Sequence, residues 1–256
     1  MRRRTAIFTL LVALVLGATA SQAEVLQEGN IRVKFDADFD PHSLPRLHPA
    51  PVQIKIHGAI ATTDGSHPPP LRWLEVELNR NGHLTSAGLP VCSAPLLQST
   101  STEQAMARCG DAVIGHGTFK ATVSLGGEVA AGGKIVAFNS RLGGKPALLL
   151  HFSALAPVRF TLVVPLRITH KSKGEFGTLL RTRVPRIAGD LGSITELDLT
   201  IGRRYSAGGE RRSYVSAACS APAELNLAVF SFARARFRFD AHPPIRSKLV
   251  KTCQVR

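Results

Sequence analysis

The sequence predicts an all-β protein, a single-domain antiparallel β-sandwich of about ten to twelve strands with one short helix. Three observations carry that reading. Apolar residues recur at every second position over much of the chain. Glycine-rich turn signals separate these runs, and helical spacing is confined to one short stretch.

The first run is IRVKFDADF, with Ile31, Val33, Phe35, Ala37 and Phe39 on one face and Arg32, Lys34, Asp36 and Asp38 on the other. Successive side chains leave a strand on opposite faces, so this pattern suits a half-buried strand. Val52, Ile54 and Ile56 repeat it, as do Leu74, Val76 and Leu78, and then Phe119, Ala121, Val123 and Leu125. Asn79–Gly82, Gly126–Gly127, Gly132–Gly133 and Gly208–Gly209 supply turns, and Gly143–Gly144 closes a hairpin between KIVAFN and ALLLHF. The long run at 158–169 alternates from Val158 to Ile168, and Pro165 inside it points to an edge or a bulge. No linker and no repeat divides residues 24–256, which read as one domain.

The N-terminus has three arginines, an apolar run and then small residues, MRRRTAIFTLLVALVLGATASQAE. That order is the pattern of a secretory signal peptide over residues 1–23, with cleavage after Ala23 or Ala20. The apolar stretch is fifteen residues, short of the roughly 20 that span a bilayer. No later stretch approaches that length, so no transmembrane segment is expected after signal removal.

Export makes the four cysteines readable. Cys92, Cys109, Cys219 and Cys253 all follow the signal, and an oxidising compartment pairs thiols. Of three pairings, Cys92 with Cys109 and Cys219 with Cys253 is preferred, because each pair is nearest in sequence. Between the first two, 102–108 has helical character, with Ser101 as N-cap and Gln104 positioned for a capping box. So short a helix is marginal alone, and the bridge would hold it.

The chain carries 32 Lys and Arg against 18 Asp and Glu, a formal net charge of +14, or +11 without Arg2, Arg3 and Arg4. Such a balance draws a protein to anionic cell-wall polymer or lipid head groups, without implying specific nucleic-acid recognition. Two segments concentrate the charge. In LDLTIGRRYSAGGERRSYVSAAC, a two-residue Gly208–Gly209 loop sets Tyr205 opposite Arg212 and Arg203 opposite Tyr214. Arg204 and Arg211 then share the other face, and Leu197, Leu199 and Ile201 extend the hairpin backwards. Arg203, Arg204, Tyr205, Arg211, Arg212 and Tyr214 are therefore the candidate binding residues, as an anion platform. The second segment, FARARFRF, places Arg234, Arg236 and Arg238 on one strand face.

Other motifs fail on spacing. DADFD has Pro41 and Leu47 where a calcium loop needs glycine and glutamate. GGEVAAGGK has Glu128 where a phosphate loop needs glycine, and Ile135 where it needs a hydroxyl. No CxxC pair and no GxSxG elbow occurs. His42, His48, His57 and His67 are separated by prolines and read as surface residues. Glu75 and Glu77, with Glu196 and Asp198, are the carboxylates from which a hydrolase pair would be assembled. No cofactor or metal is expected.

The segments TTDGSHPPPLRWLEVELNRNG, GLPVC, STEQAMARC, GEFGTLL and RRYSAGGERRSYVSAAC together resemble a family of uncharacterised secreted actinobacterial proteins, across most of the chain after the signal. The resemblance implies export and paired cysteines, and carries no activity with it. The functional expectation is a secreted, non-catalytic protein of the cell envelope that binds anionic polymers or surfaces through the arginine-rich hairpin. The alternatives are a structural secreted protein without a ligand site and an extracellular hydrolase.

Overall fold

A computed structural model describes residues 24–157 and 159–256. The expected signal peptide lies outside the described residues. The chain begins with β1 (Glu24–Glu28), β2 (Ile31–Asp40), β3 (Ser43–Leu44), β4 (Ala50–Pro51), β5 (Gln53–Thr62), β6 (Leu71–Asn79) and β7 (Gly82–Leu84). Two helices follow, α1 (Ala94–Leu97) and α2 (Thr102–Cys109). Next come β8 (Val113–Ser124), β9 (Glu128–Leu142), β10 (Lys145–Ala154), β11 (Phe160–His170), β12 (Phe176–Arg183) and β13 (Gly192–Ile201). The last elements are β14 (Arg204–Ala207), β15 (Glu210–Ser213), β16 (Val215–Ala217), β17 (Leu227–Phe239) and β18 (Ile245–Val255).

The all-β expectation holds, but the two-sheet sandwich gives way to one large curled sheet. Thirteen strands run in the order β1-β2-β5-β13-β8-β9-β10-β11-β12-β6-β17-β18-β3, antiparallel except for the parallel β18–β3 pair. The curl brings the two ends of this sheet together. Glu24 of β1 accepts hydrogen bonds from the Ser247 hydroxyl and, at 2.9 Å, from the Lys248 backbone N–H of β18. Lys251 of β18, 4 % exposed, pairs with Asp36 of β2 at 2.9 Å. Side chains thus join ends that no backbone ladder links. Curling lets a single sheet enclose its own core, which alternation alone cannot distinguish from two facing sheets. Ile31, Val33, Phe35, Phe119, Phe152, Leu166, Phe237 and Leu249 meet in that interior.

Pro165 sits where β11 has one neighbour. It pairs with Leu149 of β10, while pairing with β12 begins at Arg167. The missing N–H is tolerated at this local edge.

Cys92 is bonded to Cys109 and Cys219 to Cys253. The loop from Cys92 to Cys109 forms a second small core. Its Leu97, Ala105 and two cysteines pack with Val136 and Phe138 of β9 and Leu149 of β10. Consequently Ile135–Ser140 and Ala147–Ala154 are buried on both faces. Ser101 accepts from the Gln104 N–H, and the Gln104 side chain accepts from the Ser101 N–H, completing the capping box. Thr100 fixes the helix start to the sheet through buried His151 of β10 and Thr161 of β11. The four-residue α1, with Pro95 in its first turn, adds to the single helix expected.

Candidate functional site

The outer face of the sheet along β11-β12-β6-β17-β18 gathers cations from five neighbouring strands. Residues directly opposite on neighbouring strands share a face, about 5 Å apart. One row runs Arg167, Arg181, Glu75, Arg236, Arg246. The next reads Leu179, Glu77, Arg234, Lys248, and the row on the other side Arg183, Trp73, Arg238. These rows set eight cations against two carboxylates.

Glu77 is spent internally. It accepts from Lys171 and from Arg234, and Arg234 also lies 4.6 Å above the Phe176 ring. Burial opposes ionisation of Glu77, but those two hydrogen bonds hold its carboxyl below the usual carboxylate range. In return, the Glu77 bond raises the Arg234 guanidinium. Arg167, Arg181, Arg183, Arg238 and Arg246 are exposed. Arg236 is half-buried, and its Nε is sealed from water with no hydrogen-bond partner. The surface between Glu75, Arg236, Arg246 and Lys248 is concave, an open groove of about 510 Å³.

Further along β17 and β18 the same outward positions turn apolar. Leu227 and Val229 on β17 and Val250 on β18 are 49 %, 66 % and 53 % exposed. Val250 pairs with Ser231, one step from the Arg234–Lys248 pair. Trp73 is 38 % exposed within the arginine rows at the opposite end. One strand face therefore carries cations flanked by apolar side chains.

The hairpin singled out in the sequence has the expected local register, with Ala207 opposite Glu210 and Tyr205 opposite Arg212. Its extent is shorter. The chain leaves the large sheet after Ile201, β14 and β15 form a sheet of their own, and β16 pairs with β4 and β7. Gly202 marks the break. Its N–H donates to the Ile114 carbonyl at 3.0 Å, and a Cβ there would lie 2.6 Å from Gln53. Leu197, Leu199 and Ile201 thus belong to a different sheet from Tyr205, and Tyr214 lies in the bend between β15 and β16.

Several hairpin side chains have internal partners. Arg203 donates to the carbonyls of Asp111 at 2.5 Å and Val113 at 2.9 Å. Tyr205 donates to Thr85 and Ala87, and Arg212 pairs with Glu210 at 2.9 Å. Tyr214 is 1 % exposed, and burial pushes its phenol pKa far up. Arg204 and Arg211 remain exposed. The structure does not bring the hairpin into the sheet that holds Arg234, Arg236 and Arg238. What sequence reasoning missed are Arg167, Arg181, Arg183, Arg246, Lys248 and Trp73, which only strand order places beside that stripe.

Three of the four carboxylates considered for hydrolysis have a basic side-chain partner. Glu196 pairs with Lys120 and Asp198 with His57, each at 2.8 Å, while Glu77 is held as described. His42 lies 3.3 Å from Asp38 and His67 3.3 Å from Glu128. Among the described residues no group of three or more His, Cys, Asp or Glu is placed to hold a metal ion. Among them, too, no helix is long and apolar enough to cross a membrane. No protein-family model matches the chain, and neither a curated protein nor a solved structure does.

Proposed function

We propose that this is a non-catalytic binding protein of the extracellular space or cell envelope, docking on anionic lipid head groups through the arginine rows of β11-β12-β6-β17-β18. The observation that carries the reading is the cross-strand cationic lattice with Trp73, Leu227, Val229 and Val250 on the same face. Arginine presents a planar fork that fits phosphate oxygens in pairs. Tryptophan favours the boundary between head groups and hydrocarbon. Apolar side chains flanking the cations favour a lipid surface over a soluble polyanion, which would leave them in water. The two disulfides support an oxidising compartment. Ion pairing of Glu77 and Glu196 supports binding rather than hydrolysis. The same electrostatics would also hold an anionic wall polymer.

Vesicle binding tests this. Trp73 is the single tryptophan of the chain, so its fluorescence reports directly on this face. Vesicles of phosphatidylglycerol with phosphatidylcholine should bind the protein and blue-shift Trp73. Pure phosphatidylcholine should not. Binding should weaken steeply as salt screens the charges. Equal binding to both vesicle types would refute the head-group reading. Binding to an isolated anionic wall fraction, without a Trp73 shift on vesicles, would move it to the polymer.

A further inference from the structure

The inner face of the curled sheet is not filled. Inward positions on β2, β8 and β10 are buried, but Ile56 and Ile60 of β5, Leu71 and Leu74 of β6, and Ile194 and Leu197 of β13 are half-exposed. They surround a cavity of about 140 Å³ that opens to solvent. Gly58 of β5 lies in its wall, directly between Phe35 of β2 and Leu197 of β13. It shares the inward face with Ile56 and Ile60, and a Cβ built there would meet nothing within 4 Å. The space exists because this strand carries no side chain where its neighbours carry one.

Three of the polar side chains along the wall, Ser193, Thr182 and Glu196, have partners within the protein. Ser193 donates its hydroxyl to the Pro68 carbonyl at 2.6 Å, and Thr182 to the Arg183 carbonyl at 3.1 Å. Glu196 accepts from Lys120 at 2.8 Å. A ligand inside would find hydrocarbon and almost no free donor or acceptor. An apolar cavity of roughly 150 Å³ in another protein stays dry and takes benzene. Closed barrels of about eight strands have an interior wide enough to hold one small ligand.

We propose that this cavity is a binding site for an uncharged hydrocarbon group, either an aromatic ring or the end of an acyl chain. It is independent of the cationic outer face. Affinity comes from removing apolar surface from water, so it should grow about fourfold with each methylene until the space is full.

The test uses the oxidised chain with 1-alkanols from butanol to octanol, and with benzene, by calorimetric titration and thermal shift. Saturable binding that tightens with chain length marks an acyl-type site. Saturable binding of benzene, with alkanols flat, marks a ring-type site. Gly58→Phe places a ring in the cavity from β5 and should abolish binding of both while keeping the native circular dichroism and leaving the Tm no lower. Gly58→Leu, a smaller plug, should weaken binding at least tenfold and covers the case in which the phenylalanine is not accepted. Absence of saturable binding to every probe would overturn the proposal. So would unchanged binding in a folded Gly58→Phe or Gly58→Leu variant. If neither variant folds, the alkanol series and benzene decide on the parent chain alone.

Discussion

Replacing Cys92 and Cys109 together by alanine should destabilise the protein by about 3 kcal/mol or more, the chain-entropy value for a loop of this length. The two residues are 17 apart in sequence. Both cysteines are buried, at 0 % and 7 % exposure, so the deletion also leaves small voids, and the entropy figure is a lower bound. The loop would be the first part to yield. Its eight-residue helix is too short to stand without tertiary support, and its departure uncovers Val136, Phe138 and Leu149 on the outer side of β9 and β10. Guanidinium unfolding of parent and variant gives the free energy. Amide hydrogen exchange locates the opening, and protection should fall more in 135–140 than in 31–39. Loss of the Cys219–Cys253 bridge, 34 residues apart, should cost somewhat more, about 4 kcal/mol. A Cys92→Ala, Cys109→Ala protein within about 0.5 kcal/mol of the parent would refute the staple argument and leave packing and the cap as the whole support.

Other perturbations probe separate links. Burial lowers the pKa of His151 below its ordinary 6.5. The unfolded chain therefore takes up the proton first as pH falls, so the stability held by neutral His151 is complete above about pH 6.5 and is lost as pH falls through the folded value. Urea midpoints should drop on acidification, and His151→Gln should flatten that slope. Ser101→Ala removes the acceptor of the capping box and should cost about 1 kcal/mol by the same unfolding measurement. Gly117→Ala should cost about 1–3 kcal/mol or prevent folding, because its Cβ would fall 2.0 Å from the Asp198 carbonyl and force β8 from β13. A neutral outcome there would mean that the two strands lie further apart than described.

Alternation located β2, β5, β6, β8 and β17, since each has one face toward the common interior. It reports that a face is buried, not what covers it. One sheet curled on itself and two facing sheets write the same pattern, so alternation yields the all-β class and the strands but not the curl. The contacts that close the curl, Glu24 to Ser247 and Asp36 to Lys251, join residues more than two hundred positions apart. KIVAFN and ALLLHF do carry a signal of their own. They are apolar without alternating, as strands buried on both faces are. Read that way, they announce a cover such as the stapled loop. The break at Gly202 was illegible because period two continues through Arg203 and Tyr205. For the cationic face, Arg234, Arg236 and Arg238 were visible as a stripe. Arg167, Arg181 and Arg246 join them only through strand order, which no local pattern encodes.

The proposed binding of an anionic partner rests on the outer face of β11-β12-β6-β17-β18 rather than on the 204–213 hairpin. Arg167, Arg181 and Arg246 are all exposed, so replacing them by serine should leave the fold intact. At about 1 kcal/mol for each cation near an anionic membrane, the triple variant should bind phosphatidylglycerol vesicles roughly a hundredfold more weakly. Arg204→Ser with Arg211→Ser, two exposed hairpin cations, serves as the paired control. The triple variant should show a large loss and a shallower salt dependence, and the double variant near-parental binding. A double variant that loses binding while the triple keeps it would return the site to the hairpin.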